Sequence, residues 1–539
     1  MGRSAPMEYS ARRAHASRAG FRWLIEAPLA TSSRTLTTPA RPCVIGLDLG
    51  TGGARAVIVS DAGEVAALHS VDYAPVVGAR RAASDVEHEQ DPSLWWEAAR
   101  CALAGVVAEF EKRGGRTGAL QAIAIDGTSG TVVGVDESGS ACTPALMYND
   151  GRAHEEALEL SDWADQASAD APVRASWSLA KMLWLERHER SGFDRTRCFT
   201  HQADYIASQL TGTVGWTDAS NALKSGFDLR SRAWPEWLSD RTDIPAKLPK
   251  VVELGTVSGR VRDIVAQELR LPRGLKVVAG ATDGTAAFLA SGAARVGDDN
   301  TTLGTTLVFK RLADHAPTDP SGLVYSHRLP DHADAQGVHH ERWLPGAASN
   351  VGGEWIREGH PGADLAQLDS AAEPLLPTES LAYPLVGKGE RFPFQTSAAL
   401  GFCDVPEGED ALSFAARLQG VAFVERLAYE TLDRVTGQTA LGDVFSTGGG
   451  SASGVWMQLR ADVTGRTLHR PQCHESAFGS AILAAANTIH DGLWDAMGRM
   501  LVIERSFHPD SLRGSTYDDL FGAFRHRLEQ EGYMENHGQ

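Results

Sequence analysis

Apolar and polar positions alternate along this chain in short runs, and the runs predict an α/β fold. Val44, Ile45 and Leu47 form an apolar strand that ends at Asp48. Gly50, Gly52 and Gly53 then allow a tight reversal, and Arg55, Val57 and Val59 alternate with small residues on the way back. The pattern predicts a hairpin over 43–60 and a third strand over 64–73. Trp95, Trp96, Ala99, Leu103, Val106 and Phe110 recur at helical spacing, so 92–112 reads as a helix. Asp91 is placed to cap it and Pro92 to open it. Both tryptophans are expected in the core rather than against a ligand. Strand patterns follow over 120–125, 132–135 and 275–281, and helical ones over 181–190 and 198–212, the last ending at Gly212. A polar loop with Ser220, Asn221 and Lys224 is expected over 216–227.

The opening theme returns past the middle of the chain. Residues 300–309 read as strand, turn and strand around Gly304, Thr305 and Thr306, and 444–450 as a strand running into Gly448, Gly449 and Gly450. Helices are expected over 286–294, 455–464, 477–490 (opening at Gly479) and 516–530. This order implies two α/β halves of related build facing one cleft. Each half carries a turn of N–H donors and hydroxyls, which is what phosphate oxygens require. Thr51, Gly52 and Gly53 form the first such turn; Gly304, Thr305 and Thr306 form the second. Asp48 and Asp283 end strands toward the gap, and a hydrated divalent cation suits a carboxylate such as Asp48. On residue type alone a plain glycine turn accounts for the first hairpin equally well. Asp283, likewise, reads more readily as a helix cap than as a general base.

Composition narrows the partners. The formal net charge of -18 argues against nucleic acid or an anionic membrane as the main ligand. The six cysteines are scattered without paired spacing, which fits a reducing compartment better than a disulfide framework. No apolar run is long enough for a membrane span. There is no HExxH, and no GxGxxG opens a helix after the first strand. Residues 1–42 differ from the rest: seven arginines, no lysine, and Glu8 and Glu26 as the only acids. That composition is the one expected of a transit peptide to a plastid or mitochondrion. A chain without such a signal is expected in the cytoplasm.

The motifs together resemble a known family. DLGTGG (48–53), IDGTSGT (125–131), YNDGR (148–152), GATDGTAAF (280–288), TLGTTL (302–307) and STGGGS (446–451) stand in the order found in FGGY carbohydrate kinases. That resemblance implies the actin-like, RNase-H-like ATPase fold, with two related α/β domains flanking a deep cleft. It places an N-terminal domain over 43–290, a C-terminal domain over 291–500 and a tail over 501–539. Stretches such as HQADYIASQLTG (201–212), SNALKSGFDL (220–229) and GERFPF (389–394) resemble more closely the D-ribulokinase-like branch of plants and cyanobacteria. Bacterial xylulokinases carry a Met-His pair where this chain has Thr128, Ser129 and Gly130, which favours D-ribulose as the sugar.

The resemblance assigns Asp283 as general base and Asp48 to Mg²⁺ through water. Asp48, Asp126, Thr128, Ser129 and Asp283 would surround the sugar, with Asn149, Asp150 and Arg152 as weaker candidates. Thr51, Gly52, Gly53, Gly304, Thr305 and Thr306 would hold the phosphates of ATP. Gly448, Gly449 and Gly450 would line the nucleotide. Gly284 departs from relatives that carry a polar side chain there. A monomer or homodimer binding only ATP and a small sugar is expected. An actin- or chaperone-like ATPase switch is the alternative from another class, and a polar sugar loop beside the phosphates discriminates against it.

Overall fold

The computed structural model describes residues 41–73, 86–167, 173–319, 321–438 and 442–534. The leader expected over 1–42 falls outside them apart from Arg41 and Pro42, as does most of the loop before residue 86. Two sheets organise the chain. The strands of the first are β1 (Cys43–Leu49), β2 (Gly53–Ser60), β3 (Val65–Asp72), β4 (Leu120–Gly127), β5 (Val257–Arg260) and β6 (Lys276–Thr282). The second contains β7 (Asp299–Leu303), β8 (Leu307–Arg311), β9 (Tyr325–Ala333), β10 (His339–Ser349), β11 (Val444–Thr447), β12 (Leu468–Pro471) and β13 (Ile503–Phe507).

The two sheets have one topology. The first runs β3-β2-β1-β4-β6-β5 and the second β10-β8-β7-β11-β12-β13, with β9 added at the edge. In each, three antiparallel strands lead into parallel neighbours, and an antiparallel strand closes the far side. The expected halves of related build are therefore present strand for strand.

Helices cover the sheets in layers. Those that matter here are α1 (Pro92–Lys112), α2 (Ser178–His188), α3 (Gln202–Thr211), α4 (Asp283–Leu289), α5 (Asp410–Thr436), α6 (Gly454–Thr464), α7 (Ser476–Ala485) and α8 (Ser511–Gln530). Asp91 caps α1 as its position suggests, its side chain accepting from the Ser93 N–H at 2.9 Å. Trp95 is fully buried among Ile45, Leu47 and Ile123, on the outer face of the first sheet with α1 and α3. Phe309, Leu307 and Val444 pack with α5, α6 and α8 on the outer face of the second. Between the sheets lies a third core, in which Val44, Ala124 and Val278 meet α4 and α7, and Phe445 and Leu344 close it from the other side.

That inner layer is built from small residues so that backbones approach closely. A Cβ on Gly46 would lie 1.8 Å from the Ala477 carbonyl oxygen of α7, and one on Gly479 equally close to Ala286 of α4. Gly479 therefore sits inside α7 as a contact point, not at its opening, and the helix ends at Ala485 rather than at 490. A second difference lies at 216–227. This segment is a strand and two short helical turns, with Ser220, Asn221 and Ser225 buried, rather than a solvated loop. Asp218 organises it by accepting from Ser220 and Asn221.

All six cysteines are free. Among the described residues no helix is long and apolar enough to cross a membrane.

Candidate active site

Neighbouring parallel strands of the first sheet bring three aspartates to the same edge, where open α/β sheets gather ligands. Asp48 on β1 stands in register with Asp126 on β4. Asp126 pairs in turn with Ala281 on β6, just before Asp283. Asp126 is fully buried and accepts from the Ser480 hydroxyl of α7 at 2.6 Å. Burial and the charge of Asp48 push its carboxyl well above the usual range, so Asp126 holds a proton that it shares with Asp48. Among the described residues the Asp126 Oδ1 meets no donor. Burial raises the Asp48 pKa as well, and the hydrogen bond from Asp126 and the charge of Arg55 oppose the rise.

Asp283 is the first residue of α4, with Thr282 in the capping position. The expected helix start at 286 is thus three residues late, and Asp283 is not the cap. Its carboxyl is half-buried and accepts from the Gly284 N–H at 2.6 Å. Burial raises its pKa; the Gly284 N–H, Lys224 and Lys310 oppose the rise, and Asp48 adds to it. A base must be ionised to accept a proton, so activity is lost as pH falls through this raised value. The acid limb of kcat/KM is accordingly expected above the ordinary aspartate value of about 3.9. A pH–rate profile reads this directly, and a limb below pH ~4 would contradict it.

The loop after β4 is held from beneath. Lys181 of α2 is fully buried, and its ammonium donates to the carbonyls of Gly130, Met147 and Ser176 at 2.9, 2.6 and 2.9 Å. The Thr128 hydroxyl bonds Gln202 Oε1 at 2.7 Å and Thr131 at 2.6 Å. Asp126 and Thr128, expected against the sugar, therefore turn their polar atoms into the protein and shape the loop. Ser129 remains half-exposed with its hydroxyl unbonded by described residues, and its carbonyl accepts from Lys224 at 3.2 Å. Lys181→Met strips three carbonyls of their donor. It is expected to destabilise the chain by about 1–3 kcal/mol and to raise the acceptor KM more than it lowers kcat. Urea unfolding and steady-state kinetics measure both.

Asp150 and Arg152 are structural. Arg152 grips Asp150 at 2.8 Å and Glu89 at 2.6 Å and lies over Trp184. Asn149 is exposed.

Both hairpin tips are open. Thr51, Gly52 and Thr305 are exposed; among the described residues nothing lies within 4 Å of a Cβ built on Gly52, and only Thr306 O approaches one on Gly304, at 3.8 Å. Gly448, at φ +83°, is different, because a Cβ there would strike Leu303 O at 2.6 Å, and one on Gly450 would strike the Leu303 side chain. Those two glycines are demanded by the chain's own packing, not only by a ligand. The turn they make begins beside the second hairpin, where Thr302 and Thr447 hydroxyls bond at 2.9 Å. Arg470 fixes the same turn through the carbonyls of Ser451 and Ala452. The first hairpin reaches this region through an ion pair of Arg55 with Glu475.

A model of the FGGY family of carbohydrate kinases, N-terminal domain, matches residues 43–290, and the C-terminal domain of the same family matches 329–488. The chain belongs to the FGGY family of carbohydrate kinases. It is 27% identical over 489 residues to a xylulose kinase of Klebsiella pneumoniae, covering 88% of this chain and 96% of that protein. It is 30% identical over 363 residues to one of Streptomyces rubiginosus, covering 63% and 69%. Xylulose kinase from Rhodospirillum rubrum superposes with a TM-score of 0.76 at 26% identity, covering 90% of this chain and 98% of that one. This FGGY chain is an ATP-dependent carbohydrate kinase with the actin-like ATPase fold.

The residues present fit Mg-ATP. The exposed Thr51, Gly52 and Thr305 at the two tips suit phosphate oxygens, whereas the Gly304 N–H donates to the Thr306 carbonyl at 3.1 Å. Asp48 offers one charged carboxylate, and no three His, Cys, Asp or Glu side chains among the described residues converge as a ready metal cage. A single carboxylate is what a largely hydrated Mg²⁺ requires.

Several groups at this FGGY site escaped the motif reading. Lys310 on β8, Tyr325 and His327 on β9, Arg174 and Arg391 all stand within electrostatic reach of Asp283 or its neighbours. The one local signal is the pair Lys310-Arg311, two cations directly after the apolar run Leu307-Val308-Phe309.

Proposed function

We propose that this FGGY kinase transfers the γ-phosphoryl group of ATP to the terminal hydroxyl of a ketopentose, with D-ribulose as acceptor and D-ribulose 5-phosphate as product. The observation that carries the reading is Asp283: a half-buried carboxylate of raised pKa at a strand end, within electrostatic reach of Lys224, which also holds the Ser129 carbonyl. Asp283 takes the proton from the attacking hydroxyl, and Ser129 orients the sugar. Asp48, ionised at the expense of Asp126, would hold Mg²⁺ through water. When bound, that ion neutralises phosphate charge. The turns at Thr51–Gly53 and at 304–306 fix the phosphates from opposite sheets, so that closing the cleft excludes water and protects ATP from hydrolysis.

The loop content supports D-ribulose. Ser129 is small, and a Cβ on Gly130, at φ +93°, would stand 3.1 Å from both the Lys224 stem and the Ser176 carbonyl, so the position favours glycine. D-Xylulose is the second reading, favoured by the names of the relatives. An ADP-coupled assay over pentuloses, hexuloses and polyols tests both. The highest kcat/KM is expected with D-ribulose. A lead of about tenfold for D-xylulose, or 1.4 kcal/mol in transition-state binding, reverses the assignment.

A further inference from the structure

Lys310 is 5% exposed and sits on the inner face of β8, four positions beyond Thr306 in the second phosphate turn. Its ammonium has no hydrogen-bond acceptor and no carboxylate within 4 Å among the described residues, in contrast to Lys181, whose three donors are all satisfied. It projects across the inner face between the sheets, 3.4 Å from where a Cβ on Gly284 would stand, and so beside Asp283. His327, facing it from β9, is buried with Nδ1 unpaired among the described residues. Lys224 flanks the same space from the first sheet's side. An unpaired buried ammonium is costly, and the hydroxyls of a neutral sugar offset that cost poorly. A dianionic group entering between Asp283 and the phosphate turn offsets it well.

We propose that Lys310 is a catalytic residue whose ammonium binds the non-bridging oxygens of the phosphoryl group in transit from nucleotide to sugar. This rests on reading the site as one for phosphoryl transfer. The alcohol oxygen forms its bond to phosphorus as the bond to the bridging oxygen breaks, and that electron pair leaves with ADP. Asp283 receives the hydroxyl proton, and Lys310 keeps its own. The ammonium meets charge that builds on the equatorial oxygens. Burial, opposed by Asp283 and reinforced by Lys224, brings the Lys310 pKa down to about 7, and an arriving dianion favours the protonated form that binds it.

The test uses the full chain with Mg²⁺ and compares Lys310→Met and Lys310→Arg. Calorimetry with ADP and with the non-hydrolysable imido analogue of ATP reads the γ-phosphoryl group without turnover. In Lys310→Met, ADP affinity is expected within about twofold of wild type, while the analogue weakens about tenfold or more. kcat falls about 10²–10³-fold with sugar KM little changed, Lys310→Arg recovers part of it, and the melting temperature does not drop. Equal weakening of both nucleotides, an unchanged analogue affinity, or a loss confined to sugar KM overturns the proposal. Should no sugar in the acceptor panel be phosphorylated while the two nucleotides still discriminate as stated, the acceptor assignment fails and Lys310 keeps its role.

Discussion

Asp283→Asn is expected to lower kcat by about 10²-fold or more while ADP still binds. The amide is nearly isosteric but cannot receive the proton of the attacking hydroxyl. None of the hairpin residues is touched by the change, so the nucleotide keeps its contacts. The acid also stands between Lys224 and Lys310, whose charges it partly balances. Its neutralisation leaves two cations facing the acceptor, and a moderate change in sugar KM accompanies the loss of turnover. ADP release by the purified variant measures the first effect and calorimetry with ADP the second. Turnover near that of wild type would remove Asp283 from the chemistry.

Arg460→Met carries the largest expected cost in stability, about 3–5 kcal/mol. Arg460 and Glu425 are both fully buried, and the guanidinium meets the carboxylate through two hydrogen bonds of 2.6 and 2.7 Å. It also donates to the Ser446 hydroxyl at 2.7 Å, and Thr301 donates to Glu425 at 2.6 Å. The network thus ties α5 and α6 to β7 and β11, the strands that end in the phosphate turn and in the glycine turn. Methionine in place of Arg460 strands a carboxylate in the core. Urea unfolding should show the midpoint shift, and nucleotide affinity should fall with it. The double variant Glu425→Leu with Arg460→Met removes both charges, so most of the stability is expected to return. A single variant within 1 kcal/mol of wild type would mean that the pair is not buried as described.

Local signals accounted for a great deal. Alternation located the hairpins at 43–60 and 300–309, because the period of two is a property of consecutive residues. Asp91-Pro92 marked a helix start for the same reason, since a cap and its helix are neighbours. Glycine was a less exact guide. At Gly479 it suggests a helix opening, where the need is for α7 to touch α4. At Gly448 it suggests ligand contact, and Leu303 independently forbids a side chain there. A glycine states that space is short, but not what fills it.

The chain order alone determined that two similar α/β halves exist, each with a donor-rich turn, and that acids stand at strand ends, because those features lie within a few residues of each other. Only the tertiary structure decided which distant groups share the cleft. Ser480 meets Asp126 across 354 positions, Lys310 is carried opposite Asp283 by a different sheet, and Lys181 rises under a loop 51 positions earlier. Such meetings depend on how closely small residues let α4 and α7 press between the sheets, and that packing is a property of the assembled core rather than of any short stretch of chain.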